Sequence, residues 1–274
     1  AGRPSGPPAG RPAGTADPDD CWPLLREVLV EHEDEVRRGL DLPPQTNEPG
    51  RSACLAVGLF DAVRSSGLGR VRLLEPGASA GLNLLVDRYR ISGPGWSWGD
   101  ENSPLHLDTQ AADVRPMPLQ IVSRRGCDIQ PVDVATPEGA RYLTSFVWPF
   151  DLDRHARLRA ALAVAAAHPV AVDRDRASMW LGRQLAEPVA PDVLTVVWQS
   201  ITRQYWPGDE TAAVDEAIDA ARGRIAIAHI TMEGVPPADG ADGYTVAIHG
   251  PELRVDGRLV ARSHHHGPPI VLMP

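Results

Sequence analysis

The stretch that most constrains this chain is Val71-Arg72-Leu73-Leu74-Glu75-Pro76-Gly77-Ala78-Ser79-Ala80-Gly81-Leu82-Asn83-Leu84-Leu85. A short apolar run, a turn of small residues and a second apolar run read as strand, glycine loop and helix. Glu75 closes the strand, and Gly77 and Gly81 follow it. This is the spacing by which a Rossmann-like sheet holds an adenosine-containing cofactor: glycines let the backbone approach the ligand, and the helix amino end offers free N–H groups. By the same logic Gly81 faces the ligand, so a β-branched side chain there is expected to remove binding and leave the fold intact.

Two chemistries compete for these residues. Gly77-Ala78-Ser79-Ala80-Gly81 also spells G-x-S-x-G, the nucleophile elbow of serine hydrolases. Glu75 favours the cofactor loop, because an S-adenosylmethionine-dependent methyltransferase places an acid there to accept from the methionine amino group. An elbow serine also needs a histidine within reach. The candidates are His229, His249 and His264, and none is expected to meet Ser79. No HGGG-type oxyanion segment precedes the strand, and only about 50 ordered residues do, few for a hydrolase sheet.

Composition narrows the partners. The formal charge is −9, which argues against a nucleic-acid groove or an anionic membrane surface. All 27 basic side chains are arginine. The absence of lysine excludes a Walker A lysine, a pyridoxal-phosphate Schiff base and a lysine general base. Cys21, Cys54 and Cys127 are odd in number and lack C-x-x-C spacing, against a disulfide framework or a thiolate zinc site. No apolar run approaches the ~18 residues of a membrane span, and the start lacks a signal-peptide core. A soluble, cytoplasmic protein with a small-molecule substrate is expected. The absence of an initiator Met reads as processing or truncation.

Residues 1–20 are Pro, Gly, Ala and Arg with few apolar side chains, the composition of a disordered tail. Residues 21–70 read as an N-terminal helical segment, one helix from Trp22 to Leu40 and a second from Pro49 to Ser66. Pro43-Pro44-Gln45-Thr46-Asn47-Glu48 lies between them, either a connection capped by Asn47 or a polar lid over the glycine loop. Residues 71–274 read as the Rossmann-like domain. Beyond the loop, Asp87 to Pro118 is an inserted loop or hairpin, with Trp96 and Trp98 at a core edge or a substrate pocket.

Further strands follow at about 119–122, 170–172, 193–198 and 224–230, alternating with helices over 136–147, 153–168 and 209–221. The strand 71–75 is expected in the middle of their mostly parallel sheet. Gly126-Cys127-Asp128 closes the second strand and makes Asp128 the ribose acid or a plain surface residue. Asp173 and Asp175, after the third strand, either meet the adenine amino group or cap the next helix. The fourth strand delivers Gln199 and Ser200, and then Tyr205, to the carboxyl edge where ligands sit. The fifth ends near His229 and Glu233. Antiparallel strands complete the chain, with alternation over 244–249 and an Asp256-Gly257 hairpin turn. His264-His265-His266 is placed in a loop at the sheet edge, with no metal site, since adjacent strand residues point apart and no partner is spaced to help.

Four motifs carry a resemblance: Pro43-Pro44-Gln45-Thr46-Asn47-Glu48, Glu75-Pro76-Gly77-Ala78-Ser79-Ala80-Gly81-Leu82-Asn83-Leu84, Ser123-Arg124-Arg125-Gly126-Cys127-Asp128 and Phe146-Val147-Trp148-Pro149. Together they resemble a bacterial family of unknown function, from about residue 22 to the end. The resemblance implies a Rossmann-like fold with a loop similar to motif I of class I methyltransferases, and it brings no assigned reaction. The chain departs from the family pattern at Gln199, where that pattern sets a His before the Ser.

The expectation is therefore a methyltransferase-like enzyme binding S-adenosylmethionine through Glu75, Gly77, Ala78, Ser79, Gly81, Asn83, Asp128, Asp173, Asp175, Gln199 and Ser200. His229, Glu233 and Tyr205 stand near the methyl acceptor, where a hydroxyl or amine needs a base. The alternatives are a serine hydrolase using Ser79 and a non-catalytic ligand-binding protein on the same fold.

Overall fold

The computed structural model describes residues 18–40, 45–234 and 250–273. It divides into two units, one ending at Pro44 and the other beginning at Gln45. In the first, α1 (Pro18–Glu31) and α2 (Glu33–Leu40) replace the single expected helix. The expected strand over 244–249, His249 included, lies outside the described residues. The helical segment expected over 21–70 is split between the units, because its second helix belongs to the main core.

That helix is α3 (Ser52–Ser66), preceded by a 3₁₀ turn at Pro49–Arg51. Nine apolar side chains between Ala53 and Val63 are buried, as is Ser52, and Gly67 ends it in the left-handed region at φ 72°. Next come β1 (Arg70–Pro76), the glycine loop, a 3₁₀ segment at Leu82–Arg88, then β2 (Arg90–Gly93), β3 (Trp96–Gly99) and β4 (His106–Asp108). Strands β2 to β4 form a separate small sheet. Trp96 and Trp98 meet Phe60 of α3 edge to face, which assigns both to a core edge.

The chain continues through β5 (Gln120–Asp128), α4 (Pro137–Ser145), α5 (Leu152–Ala167), β6 (Val172–Arg174), α6 (Ala177–Ala186), β7 (Val193–Ser200), α7 (Gly208–Ala221) and β8 (Ile227–Glu233). It closes with β9 (Glu252–Val255), β10 (Arg258–His264) and β11 (Gly267–Leu272). The large sheet has the order β11-β10-β9-β8-β7-β1-β5-β6. Strands β6, β5, β1, β7 and β8 run parallel, and β9 to β11 are antiparallel. This is the Rossmann-like α/β architecture, and β1 lies inside it with a parallel neighbour on each side. Numbered along the parallel part, the order is third, second, first, fourth, fifth, so the direction of winding reverses between β1 and β7. Ligands bind at the carboxyl edge at such a switch point.

Two apolar layers cover the sheet. One contains α3, α5 and the 3₁₀ segment with Val71, Leu73, Val196, Trp198 and Ile230, and extends to Leu253, Ala261 and Ile270. The other packs α6 and α7 on Leu74, Cys127 and Val197. Because β7 to β11 share one core with α3, the sheet curls around that helix and carries the turn after β10 back toward Gly50.

Candidate functional site

The glycine loop is built as a tight, self-satisfied turn. Gly77 and Ala78 both donate to the Cys127 carbonyl (2.8 and 2.9 Å), Gly81 donates to Ala78 O (2.8 Å), and Val132 donates to Ser79 O (3.2 Å). Ser79 N donates to Asp128 Oδ2 at 2.8 Å. Leu82 N, which a helix would leave free, donates to Asn47 Oδ1 at 2.9 Å. Most of the donors expected to face a ligand are therefore engaged by the protein. The segment after the loop is 3₁₀, kinked at Leu85, so no α-helix amino end stands behind it.

The glycines have a different purpose from the one expected. Gly77, Ser79 and Gly81 all have positive φ (80°, 53° and 74°). A Cβ on Gly77 would collide with the Thr202 hydroxyl, and one on Gly81 would come within 2.9 Å of the γ-methyls of Val170 and Val172. Gly81 thus makes room for protein. The expectation that a larger residue there spares the fold is overturned.

The polar segment before α3 is the lid reading made concrete. Asn47 caps the loop, and Ser52 Oγ donates to Asn83 Oδ1 at 2.8 Å. Glu48 is 3% exposed and accepts from Arg154 Nε (2.7 Å), Arg157 Nε (2.8 Å) and its own turn at Gly50 N (3.1 Å). Burial opposes its charge, but Arg157, Arg154 and the Gly50 N–H together hold its carboxyl below the usual range. Glu48, and not Asn47, is the N-cap of the turn that follows.

Arg51 reaches over the switch point and donates to Ser200 O and His265 O, both at 3.1 Å. It is buried, and its charge is felt by Glu75 on β1 and by Glu233 on β8. The sequence reading missed Arg51, Arg154 and Arg157 as site residues. The only available signal was the polar run at 45–52, in which the arginine and carbonyl partners of Glu48 and Arg51 are 106 to 214 residues away in sequence.

Glu75 stands at the end of β1, 2% exposed, with Oε2 unpartnered among the described residues. Burial pushes its pKa up to about 8, against the opposing pull of Asn83 and Arg51. It is largely protonated at neutral pH and would ionise beside a cationic group. Asp128 adjoins the loop as expected, but its oxygens accept from Ser79 N and from Gln130 N (2.9 Å), leaving lone pairs on each for a ligand hydroxyl.

Asp173 and Asp175 belong elsewhere. Asp173 binds Arg125 (2.8 and 3.1 Å) and Trp180 Nε1 (2.7 Å), and Asp175 pairs with Arg183 and accepts from Arg176 N. Arg125 holds the Asp173 carboxyl low. These aspartates tie β5 and β6 to α6 and do not fit an adenine amino group. Glu75 and Asp128 keep acceptor atoms that a positively charged head group and a hydroxyl, respectively, would need.

Ser79 is 7% exposed, and its hydroxyl has no hydrogen-bond partner among the described residues, histidine included. His264 lies at the end of β10, and His265 and His266 turn toward Arg51 and Glu48. His266 is pushed down to about 4, first by burial and then by Arg154. Among the described residues no group of three or more His, Cys, Asp or Glu is arranged to hold a metal ion.

His229 and Glu233 come together, but Tyr205 does not join them. The pair shares one face of β8 with Thr231, in a pocket completed by Arg203, Asp215, Arg254 and Gly257. Tyr205 is 60% exposed on the 3₁₀ turn Arg203–Tyr205 and does not line that pocket. Gln199 is fully buried in β7, where its Oε1 lies 2.6 Å from His229 Nε2 and accepts from Arg203 Nε and Nη2. Burial, then Arg203, lowers the His229 pKa to about 4, so the ring is neutral. Burial raises the Glu233 carboxyl against the N–H groups of Thr202 and Arg203. Ser200 contributes a carbonyl to Arg51.

A family model described as an uncharacterized protein conserved in bacteria, DUF2332, matches residues 9–271. The chain belongs to this family. No curated protein and no solved structure matches it. The family assignment covers both the glycine loop and the polar segment over it, so the two sit within one conserved domain type. Among the described residues no helix is long and apolar enough to cross a membrane.

Proposed function

We propose that this protein is an S-adenosylmethionine-dependent, methyltransferase-like enzyme acting on a small molecule, with a cytoplasmic location and neither nucleic acid nor membrane as partner. The observation that carries the proposal is Glu75. A protonatable carboxyl, its Oε2 unpartnered among the described residues, is buried at the end of the strand beside the switch point, next to the loop that Asp128 holds. Burying such a group without a partner costs about 1–3 kcal/mol, a cost a functional role would explain. Bound there, the cofactor would supply a methyl group on a sulfonium for in-line displacement. Glu75 would hold the ammonium of its amino-acid head, with Arg51 nearby for the carboxylate, and Asp128 would take a ribose hydroxyl. His229 and Glu233 supply proton acceptors one strand beyond β7.

Calorimetric titration of the full chain with S-adenosylmethionine and with S-adenosylhomocysteine tests the proposal. Micromolar binding, lost in a folded Glu75→Gln variant and retained in Asp173→Asn, is expected. No heat and no thermal stabilisation with either ligand overturns it. A serine hydrolase is the second reading, and the positive φ of Ser79 in its strand-to-turn junction is the observation that favours it.

A further inference from the structure

The pocket on the outer face of β8 has a volume of about 310 Å³. That is near the lower end of the range for ligand pockets, about 300–1,000 Å³. It exists because α7 packs through Val214, Ile218 and Ala221 onto Leu74 and Val197, which leaves the alternate side chains His229, Thr231 and Glu233 of β8 uncovered. Asp215 of α7 and Arg203 form one wall, and Arg254 of β9, paired in register with Thr231, forms the other.

The tautomer of His229 follows from its neighbours. Gln199 Oε1 accepts from two guanidinium nitrogens, at 3.3 and 3.1 Å, so the amide cannot turn its NH₂ toward Arg203. The ring nitrogen 2.6 Å from that same oxygen must then carry a hydrogen. A neutral ring protonated at Nε2 presents the lone pair of Nδ1 as an acceptor. Arg203 is itself fixed by Asp215, and so serves as the positioning residue for the whole relay.

The remaining lining selects a ligand class. Asp215 engages Arg203, Glu252 engages Arg254, and Glu233 accepts from the Thr202 and Arg203 N–H groups, so a net charge of either sign gains little. A carboxylate or phosphate would meet Asp215 and Glu233, and a cation would meet the two arginines. The lining holds no Phe, Tyr or Trp, and His229 supplies its one ring, so a planar base finds no large stacking wall. The lining offers both donors and acceptors, and a hydroxyl is both at once. We propose that this pocket binds a small, neutral, polyhydroxylated molecule, with His229 Nδ1 accepting from one ligand hydroxyl and Thr231 and Glu233 bonding its neighbours. Binding of this kind does not require the cofactor reading of the glycine loop.

The experiment is nuclear magnetic resonance on the full chain without cofactor. Long-range ¹H–¹⁵N correlation should show His229 protonated at Nε2 at neutral pH. Saturation transfer should reach myo-inositol and methyl α-D-glucopyranoside but not benzoate or putrescine, and the polyols should move the Nδ1 resonance. Thr231→Val, which removes one hydroxyl at nearly constant volume, should weaken polyol binding about tenfold, the worth of one hydrogen bond. Arg203→Met should scramble the tautomer in a folded protein. An Nδ1–H ring in the wild type, no saturation of either polyol, or preference for the acid or the amine overturns the proposal, whatever S-adenosylmethionine does.

Discussion

Replacing Glu48 by Gln should be among the most damaging single-atom changes in the protein, although Glu48 touches no ligand. The carboxylate is 3% exposed and serves Arg154, 6% exposed, and Arg157, 24% exposed. The amide removes one negative charge and offers an NH₂ group to one of two guanidinium donors. Breaking a buried pair by removing one partner costs about 3–5 kcal/mol, because the other charge stays buried and uncompensated. Arg157 has some access to water, so we expect the lower part of that range, about 3–4 kcal/mol. Set against a total stability of about 5–15 kcal/mol, this leaves a folded but fragile protein. Urea unfolding of wild type and variant should show a lower midpoint at an unchanged slope. A pH series supplies a second check. The folded carboxyl lies below its ordinary value, so its stabilisation is present above the ordinary carboxylate range and is lost as pH falls through the folded value. Glu48→Gln should abolish that part of the acid loss. A midpoint change worth less than about 1 kcal/mol would refute the reasoning, since it would mean that water already reaches the cluster.

Three further outcomes are expected. Glu75 has a folded pKa of about 8, above its unfolded value, so its contribution is greatest below the unfolded pKa and is lost as pH rises toward 8; Glu75→Gln should therefore unfold at higher temperature than wild type at pH 8, and equal melting points would refute the burial argument. Gly81→Val should lower the stability by about 2–5 kcal/mol in urea, from left-handed strain and from collision with Val170 and Val172, and a variant as stable as wild type would show that the loop can open. Ser79 should not react with a fluorophosphonate probe, since no described histidine contacts its hydroxyl; stoichiometric labelling lost in Ser79→Ala would promote the hydrolase.

The sequence by itself determined the sheet. The β-branched run at 193–198, the apolar strand before the glycine loop and the alternation of strands with helices can satisfy their backbone and bury their faces in few ways, and local pattern carries that information. It also marked Glu75, Asp128 and Glu233, because strand ends in a parallel sheet deliver side chains to one edge; His229, expected at that edge, lies near the amino end of β8. Only the tertiary structure decided what the glycines face and which carboxylates remain available. Asp173 and Asp175 have the same local signature as a ligand-binding acid, but Arg125, Trp180 and Arg183 claim them from other elements. The charged roof over the site is the extreme case. Glu48 and Arg154 are 106 residues apart, and Arg51 and His265 are 214 apart. Such pairings follow from the curl of the sheet around α3, and no periodicity within either segment records where its partner will be.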